Sequence, residues 1–200
     1  MAKSSGETTG CGVCGRLPDS YLAQTGYGEQ FPAAAHQLER LGLDNRRDVW
    51  RCPSCGALFD WEDNSQLYGS GNLDEETLNR LGPAASTAIG ALLDPAYRGM
   101  AGDELVALAA KEAPRPLFNS VLQHLVYHTT RLEPLIPGLV ALLAKDNEQH
   151  LVHIVRDWAG RKRQRLAWSI DLIERGGRPY NYFTEALLKV LRETLAKAPA

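Results

Sequence analysis

Apolar and polar residues alternate along residues 48–64, DVWRCPSCGALFDWEDN. A period of two places successive side chains on opposite faces of a strand, so this stretch predicts two short β-strands around the CPSCG turn. Upstream, FPAAAHQLERLGL has Leu38 and Leu41 at helical spacing, Pro32 suited to a first turn and Gly42 suited to a C-terminal cap. This segment predicts a short helix over residues 32–42.

From Asn72 onwards the periodicity changes to that of helices. The segment NLDEETLNRL places three acidic residues, Asp74, Glu75 and Glu76, in a first turn, where they complement the positive end of the helix dipole. Gly82 and Pro83 end this helix. Further helices are predicted between prolines and glycines, over residues 84–93, 103–112, 116–130, 133–144, 147–175 and 180–197.

These elements predict a mainly α protein in three parts. A flexible tail covers residues 1–10, a small module with short strands and an inserted helix covers 11–68, and an α-helical domain, a bundle or a solenoid-like array, covers 72–198. A chain of 200 residues is long enough for such an arrangement. Because a small module buries little surface by itself, we expect Phe59, Trp61 and Tyr68 to pack it onto the helical domain.

All four cysteines lie in the small module, in the pairs Cys11-x2-Cys14 and Cys52-x2-Cys55. Each pair is followed by a glycine, which accepts the positive φ that such a turn requires. Two turns of this kind supply four thiolates, the ligand set of a closed tetrahedral zinc site. The sequence therefore predicts that Cys11, Cys14, Cys52 and Cys55 bind Zn²⁺.

Two other uses of the cysteines remain open. They could pair as disulfides, or they could hold iron in a rubredoxin-type site with the same four sulfurs. If the metal is zinc, four thiolates leave no coordination position for water or substrate, whereas catalytic zinc keeps one open. The zinc is then structural, and its binding contributes folding free energy.

The two cysteine motifs, CGVCG and CPSCG, resemble those of the zinc-ribbon superfamily over residues 11–62. A narrower resemblance covers RCPSCGALFDWEDNSQLYGSGNLDEETLNRL, which is similar to an uncharacterised group of bacterial proteins with a CPxCG knuckle joined to a helical domain. This resemblance implies a bacterial origin and an unbroken junction between ribbon and helices. Residues 133–177 also resemble a single HEAT-like helix pair.

Charge is distributed unevenly between the halves of the chain. Residues 1–100 carry 8 basic and 13 acidic residues, whereas residues 101–200 carry 14 basic and 11 acidic residues. Neither half is basic enough to predict nucleic-acid binding from charge alone. The N-terminus lacks the apolar segment of a secretory signal, and no apolar run approaches the roughly 20 residues that cross a bilayer. We therefore expect a cytoplasmic protein with reduced thiols and no membrane contact.

Four of the five histidines form two close pairs, His124-x3-His128 and His150-x2-His153. These spacings place each pair on one helical face, where it could chelate a metal. No HExxH motif accompanies them, so hydrogen bonding between helices is the preferred interpretation. The alternative is a helical metalloenzyme that uses all four histidines.

The segment GRKRQR places Arg161, Lys162, Arg163 and Arg165 together on a predicted helix. A solvated helix surface is the preferred interpretation, with intramolecular ion pairs or an acidic partner as alternatives. A recognition helix for DNA would require a helix-turn-helix frame.

The combined features predict a non-catalytic, zinc-containing module that binds a protein partner, as bacterial immunity and adaptor proteins do. No phosphate-binding loop, dinucleotide motif or nucleophile with a recognisable base accompanies the cysteines, so no enzyme activity is predicted. The expected contact surface is an acidic cluster formed by Asp60, Glu62, Asp63, Asp74, Glu75 and Glu76. A zinc ribbon that binds nucleic acid is the main alternative function.

Overall fold

A computed structural model describes residues 10–44, 46–64, 74–145, 149–160, 162–176 and 181–198. The predicted tail lies outside the described residues except for Gly10, as do Tyr68 and Arg161. The chain forms two compact units. The first comprises residues 1–90 and 113–120, and the second comprises 91–112 and 121–200.

The first unit is built on a five-stranded antiparallel sheet with the spatial order β1-β5-β4-β3-β2. The strands are β1 (Ser20–Gln24), β2 (Glu39–Arg40), β3 (Arg47–Arg51), β4 (Leu58–Asp63) and β5 (Glu75–Arg80). Strands β3 and β4 are the two strands that the alternating pattern predicted, with Trp50 opposite Phe59. The predicted content of helix with a small number of strands is confirmed in outline, although the sheet is larger than expected.

One face of the sheet carries a cluster of aromatic rings. Trp50 and Trp61 stack with centroids 5.9 Å apart, and Phe31 meets Trp50 edge-on at 5.8 Å. The Arg40 guanidinium lies over both indoles, 5.5 Å and 5.0 Å from their centroids. Such ring contacts stabilise beyond the burial of area alone. Cys14 and Cys52 are buried in the same cluster, so the cysteines adjoin the core of the first unit.

The helix predicted from Asn72 is wrong, because residues 75–80 form strand β5. This strand lies between β1 and β4, with Leu78 opposite Tyr21 on one side and Trp61 on the other. Two ladders of backbone hydrogen bonds outweigh the weak local preference for a helix. The acidic residues that suggested a first helical turn have other roles, since Glu76 accepts a hydrogen bond of 2.9 Å from Trp61 Nε1.

The helix predicted over residues 32–42 is also wrong. The segment forms a single 3₁₀ turn, Ala35–Gln37, and then the two residues of β2. Glu39 and Arg40 pair with β3, while Phe31, Ala35 and Leu38 are buried in the aromatic core. Gly42 has a φ of +72°, but it follows a strand and does not cap a helix. Tertiary pairing therefore determines the structure of this short segment.

Helices α1 (Pro83–Leu93), α2 (Gly102–Glu112), α3 (Arg115–Val126), α4 (Thr129–Leu132), α5 (Ile136–Lys145), α6 (Gln149–Ala159), α7 (Arg163–Arg175) and α8 (Tyr182–Lys197) follow. The helix predicted over residues 147–175 is divided at Gly160, whose φ is +54°. The segment predicted over 116–130 likewise divides into α3 and α4. In the second unit α2 packs closely on α5, since a Cβ at Gly138 would lie 2.6 Å from Asp103 Cα.

Candidate metal centre

The second cysteine pair occupies the turn between β3 and β4. The Cys52 amide donates to the Ala57 carbonyl at 2.9 Å, which closes the hairpin, and the Gly56 amide donates to the Cys52 carbonyl at 2.9 Å. Gly56 has a φ of +75°, as predicted for this glycine. The hairpin therefore places both cysteines in one turn, with Cys52 buried and Cys55 exposed.

The first cysteine pair forms a similar turn by a different backbone path. The Gly15 amide donates to the Cys11 carbonyl at 2.9 Å, which matches the bond made by Gly56. Gly15, however, lies in the 3₁₀ turn Cys14–Arg16 and does not have a positive φ. The prediction of a positive φ at both glycines is therefore wrong for Gly15, because the 3₁₀ turn reverses the chain with helical dihedrals.

The difference between these glycines gives a testable prediction. Gly56→Ala should lower the free energy of unfolding by about 1–2 kcal/mol, because an L-residue is strained at positive φ. Gly12→Ala is the matched control, since Gly12 lacks a positive φ and a Cβ at either position would have no neighbour within 4 Å. Urea unfolding of both variants measures the effect. Equal losses in the two variants would contradict the assignment of backbone strain to Gly56.

The four cysteine sulfurs converge although the two pairs are far apart in sequence. Cys11 Sγ lies 3.7 Å from Cys52 Sγ, Cys14 Sγ lies 3.4 Å from Cys55 Sγ, and all four sulfurs lie within 4.8 Å of one another. A tetrahedral ion with metal–sulfur bonds of about 2.3 Å would space them by about 3.8 Å. A disulfide requires about 2.05 Å, and all four cysteines are free thiols. The arrangement fits a metal ion.

The pKa values of two of the cysteines shift in opposite directions. Hydrogen bonds from the backbone of Cys14 and Val13 lower the pKa of Cys11 to about 6. The Ala57 backbone lowers the pKa of Cys55, but burial and the sulfurs of Cys14, Cys11 and Cys52 together raise it to about 12. Four adjacent thiolates repel one another, and a divalent cation among them removes that cost.

Arg80 is a member of the site that the sequence did not indicate. Its guanidinium Nη1 lies 3.6 Å from Cys14 Sγ, and Nη2 donates to the Cys14 carbonyl at 2.7 Å. Arg80 ends strand β5, the segment that was predicted to be helical. Because this segment was predicted to be a helix, the contact between Arg80 and Cys14 could not be predicted.

The structure does not bring the two histidine pairs together as one metal site. The four cysteines are the only cluster of three or more possible ligands within the described ranges. The His124 and His128 rings are 4.8 Å apart at their centroids, while His150 and His153 lie in α6. The geometry expected for a four-histidine metalloenzyme is therefore not formed by these residues.

The predicted acidic contact surface is wrong for part of its members. Asp60 is 4% exposed and accepts a hydrogen bond of 2.7 Å from Arg47 Nη1. Arg47 also pairs with Glu62, and Glu76 holds the Trp61 indole. Asp63, Asp74 and Glu75 are half-buried. These carboxylates lie on strands β4 and β5 or beside them, and at least three of them are used by the fold.

Phe59 and Trp61 contribute to the core of the sheet itself. Phe59 is fully buried, and Trp61 is 6% exposed in the aromatic cluster. Both residues are therefore part of the core of the first unit.

The basic run does not lie on one helix. Lys162 precedes α7, Arg163 donates to the Ala198 carbonyl at 3.5 Å, and Arg165 contacts Glu133 at 3.8 Å. The Arg165 guanidinium also lies 4.9 Å from the centroid of the Trp158 ring. Part of the run therefore stabilises the second unit through internal contacts.

Comparison with protein-family models, with curated proteins and with solved structures gives no match. None of the helices in the described part of the chain combines the length and the apolar character that a membrane crossing requires.

Proposed function

We propose that Cys11, Cys14, Cys52 and Cys55 bind one Zn²⁺ ion, and that this ion has a structural role. The observation that carries the proposal is the convergence of four sulfurs within 4.8 Å. A complete set of four thiolates leaves no open position for a substrate. A tetrahedral set of four thiolates is typical of structural zinc, and because the same set can also hold iron, the metal content of the purified protein tests this choice. The ion would connect two segments that are distant in sequence at the edge of the aromatic core.

We further propose that the protein is not an enzyme and acts by binding another protein, in the manner of a bacterial immunity or adaptor protein. Strand β1 is an edge of the sheet, and an edge strand offers backbone groups to a partner. Leu22 in this strand is 47% exposed, and Tyr27 in the following 3₁₀ turn is 75% exposed. Tyrosine is enriched in protein interfaces. These two residues replace the acidic cluster as the expected contact surface.

Site-specific crosslinking tests this proposal. A photoreactive amino acid at position 27 should crosslink to a discrete protein in the source cell, and a second substitution, Leu22→Asp, should reduce the yield at least tenfold. Position 182 is the matched control, because Tyr182 is 76% exposed but belongs to the second unit. No protein adduct at position 27, or adducts that nuclease removes, would contradict the proposal. Nuclease-sensitive adducts would favour the nucleic-acid alternative.

A further inference from the structure

The side chain of Arg80 is held in place by hydrogen bonds and by an aromatic ring. Besides its two contacts to Cys14, it donates from Nε to Asp19 Oδ1 at 3.1 Å. Its Cζ atom lies 4.6 Å from the centroid of the Phe59 ring, and only 15% of the side chain is exposed. A planar guanidinium held by stacking and by several hydrogen bonds loses little additional entropy when it binds a further anion. Arg80 therefore presents a positive charge to Cys14 in one defined position.

The four cysteines are unequal in their surroundings. Cys14 and Cys52 are 0% and 1% exposed, Cys11 is half-buried, and Cys55 is exposed. The Arg80 guanidinium contacts Cys14. Four thiolates around a divalent cation carry two net negative charges, and a charge-assisted hydrogen bond stabilises the sulfur that receives it. The centre therefore has a buried side at Cys14, where the Arg80 charge offsets part of the negative charge of the thiolates, and an exposed side at Cys55.

We propose that Arg80 is a positioning residue of the metal centre: it holds Cys14 in place as the least reactive thiolate, so that metal is lost first through Cys55. The inference rests on the proposed zinc site. Outer partners that hydrogen-bond to metal ligands commonly change metal affinity by roughly 10–100-fold when they are removed. Arg80 has this role because its contact to sulfur is supported by Asp19, by Phe59 and by the Cys14 carbonyl.

Zinc competition and cobalt spectroscopy test the role of Arg80. Arg80→Met should weaken zinc binding against a chromophoric chelator by roughly 10–100-fold. In the Co²⁺-substituted protein, the sulfur-to-cobalt charge-transfer band should move to longer wavelength, because a sulfur without the hydrogen bond gives up electron density more easily. Arg80→Lys should retain part of the zinc affinity and should shift the charge-transfer band less than Arg80→Met does. Arg51→Met is the control, since Arg51 adjoins Cys52 in sequence but pairs with Glu39 at 2.8 Å.

Cysteine labelling provides a test that needs no variant. During slow removal of zinc by chelator, iodoacetamide should modify Cys55 first and Cys14 last in the wild-type protein, with iodide displaced by the freed thiolate. Peptide mass spectrometry gives the order. Labelling of Cys14 before Cys55 would overturn the inference, even if Arg80→Met fails to fold.

The outcomes separate this inference from the proposed function. A wild-type protein that binds no metal contradicts both. A wild-type protein with one zinc, together with an Arg80→Met variant of unchanged zinc affinity and unchanged Co²⁺ spectrum, overturns the role of Arg80 alone. Weaker zinc binding with an unchanged Co²⁺ spectrum would reduce Arg80 to a purely structural residue and would also overturn the inference.

Discussion

Replacing Cys52 by serine is expected to abolish zinc binding and to unfold the sheet of the first unit. Cys52 is 1% exposed, directly follows β3 and belongs to the aromatic core. Structural zinc contributes apparent binding free energies of about 10–16 kcal/mol in small zinc-binding peptides, and this free energy becomes folding free energy. Even a fraction of it equals the whole stability of a typical domain. Losing one ligand should therefore remove most of the stability of this unit.

Hydrogen exchange and near-ultraviolet circular dichroism measure this effect. Amides with defined partners in the first unit, such as Cys52 to Ala57 and Leu81 to Leu58, should lose protection in Cys52→Ser. The signal from the stacked Trp50 and Trp61 rings should also disappear. Helix α6 in the second unit serves as the reference within the same molecule. A variant that retains protection in β3 and β4 without bound metal would show that the ion is dispensable for folding.

Replacing Arg47 by methionine is expected to cost about 3–5 kcal/mol at neutral pH. The side chains of Arg47 and Asp60 are only 8% and 6% exposed, and they form an ion pair of 2.7 Å on the second face of the sheet. Asp60 Oδ1 is buried without a hydrogen-bond partner. Removal of Arg47 therefore leaves the buried Asp60 carboxylate without the positive charge of Arg47. The resulting loss of stability is far larger than the stabilisation that a surface ion pair contributes.

The loss of stability in Arg47→Met should be larger at high pH than at low pH. Burial raises the pKa of Asp60 from 3.8 to about 6, although Arg47 opposes this shift. The contribution of Asp60 to stability is thus fully present below pH 3.8 and is lost as the pH rises through about 6. Without Arg47 the pKa of Asp60 rises further, so the deficit of Arg47→Met should be smaller at pH 5 than at pH 8.

Urea unfolding at both pH values measures this deficit relative to the wild-type protein. Arg51→Met is the control, because the Arg51–Glu39 pair is about half exposed, at 51% and 50%, and should contribute at most about 1 kcal/mol. A deficit that is equal at pH 5 and pH 8 would contradict the assignment of the cost to an ionised Asp60.

The sequence predicted those features that depend on neighbouring residues. The two CxxCG motifs bring their own turns, so the convergence of their four cysteines could be predicted before the fold was known. The alternation across residues 48–64 similarly predicted β3 and β4, which are joined by a short turn. The helices after Pro83 were predicted within a few residues, apart from the division at Gly160 and the division between α3 and α4, because most have their own periodicity and their own terminal proline or glycine.

The features that the sequence did not predict depend on distant partners. Strand β1 was not predicted, and β5 was predicted as a helix, although Ser20 pairs with Asn79 across the sheet. Neither segment alternates strongly enough to identify a strand without its neighbour. Arg80 was missed for the same reason, since 66 residues separate it from Cys14. The acidic cluster formed by Asp60, Glu62, Asp63 and residues 74–76 suggested an exposed surface, because the burial of Asp60 beside Arg47 is visible only in the folded chain.

Native mass spectrometry of the intact chain, purified from medium without added metal, tests the central claim most directly. The account predicts a single species with one zinc ion per chain, which acid or a strong chelator removes together with the structure of the first unit. A folded chain that carries no metal, or one that carries iron in place of zinc, would contradict it.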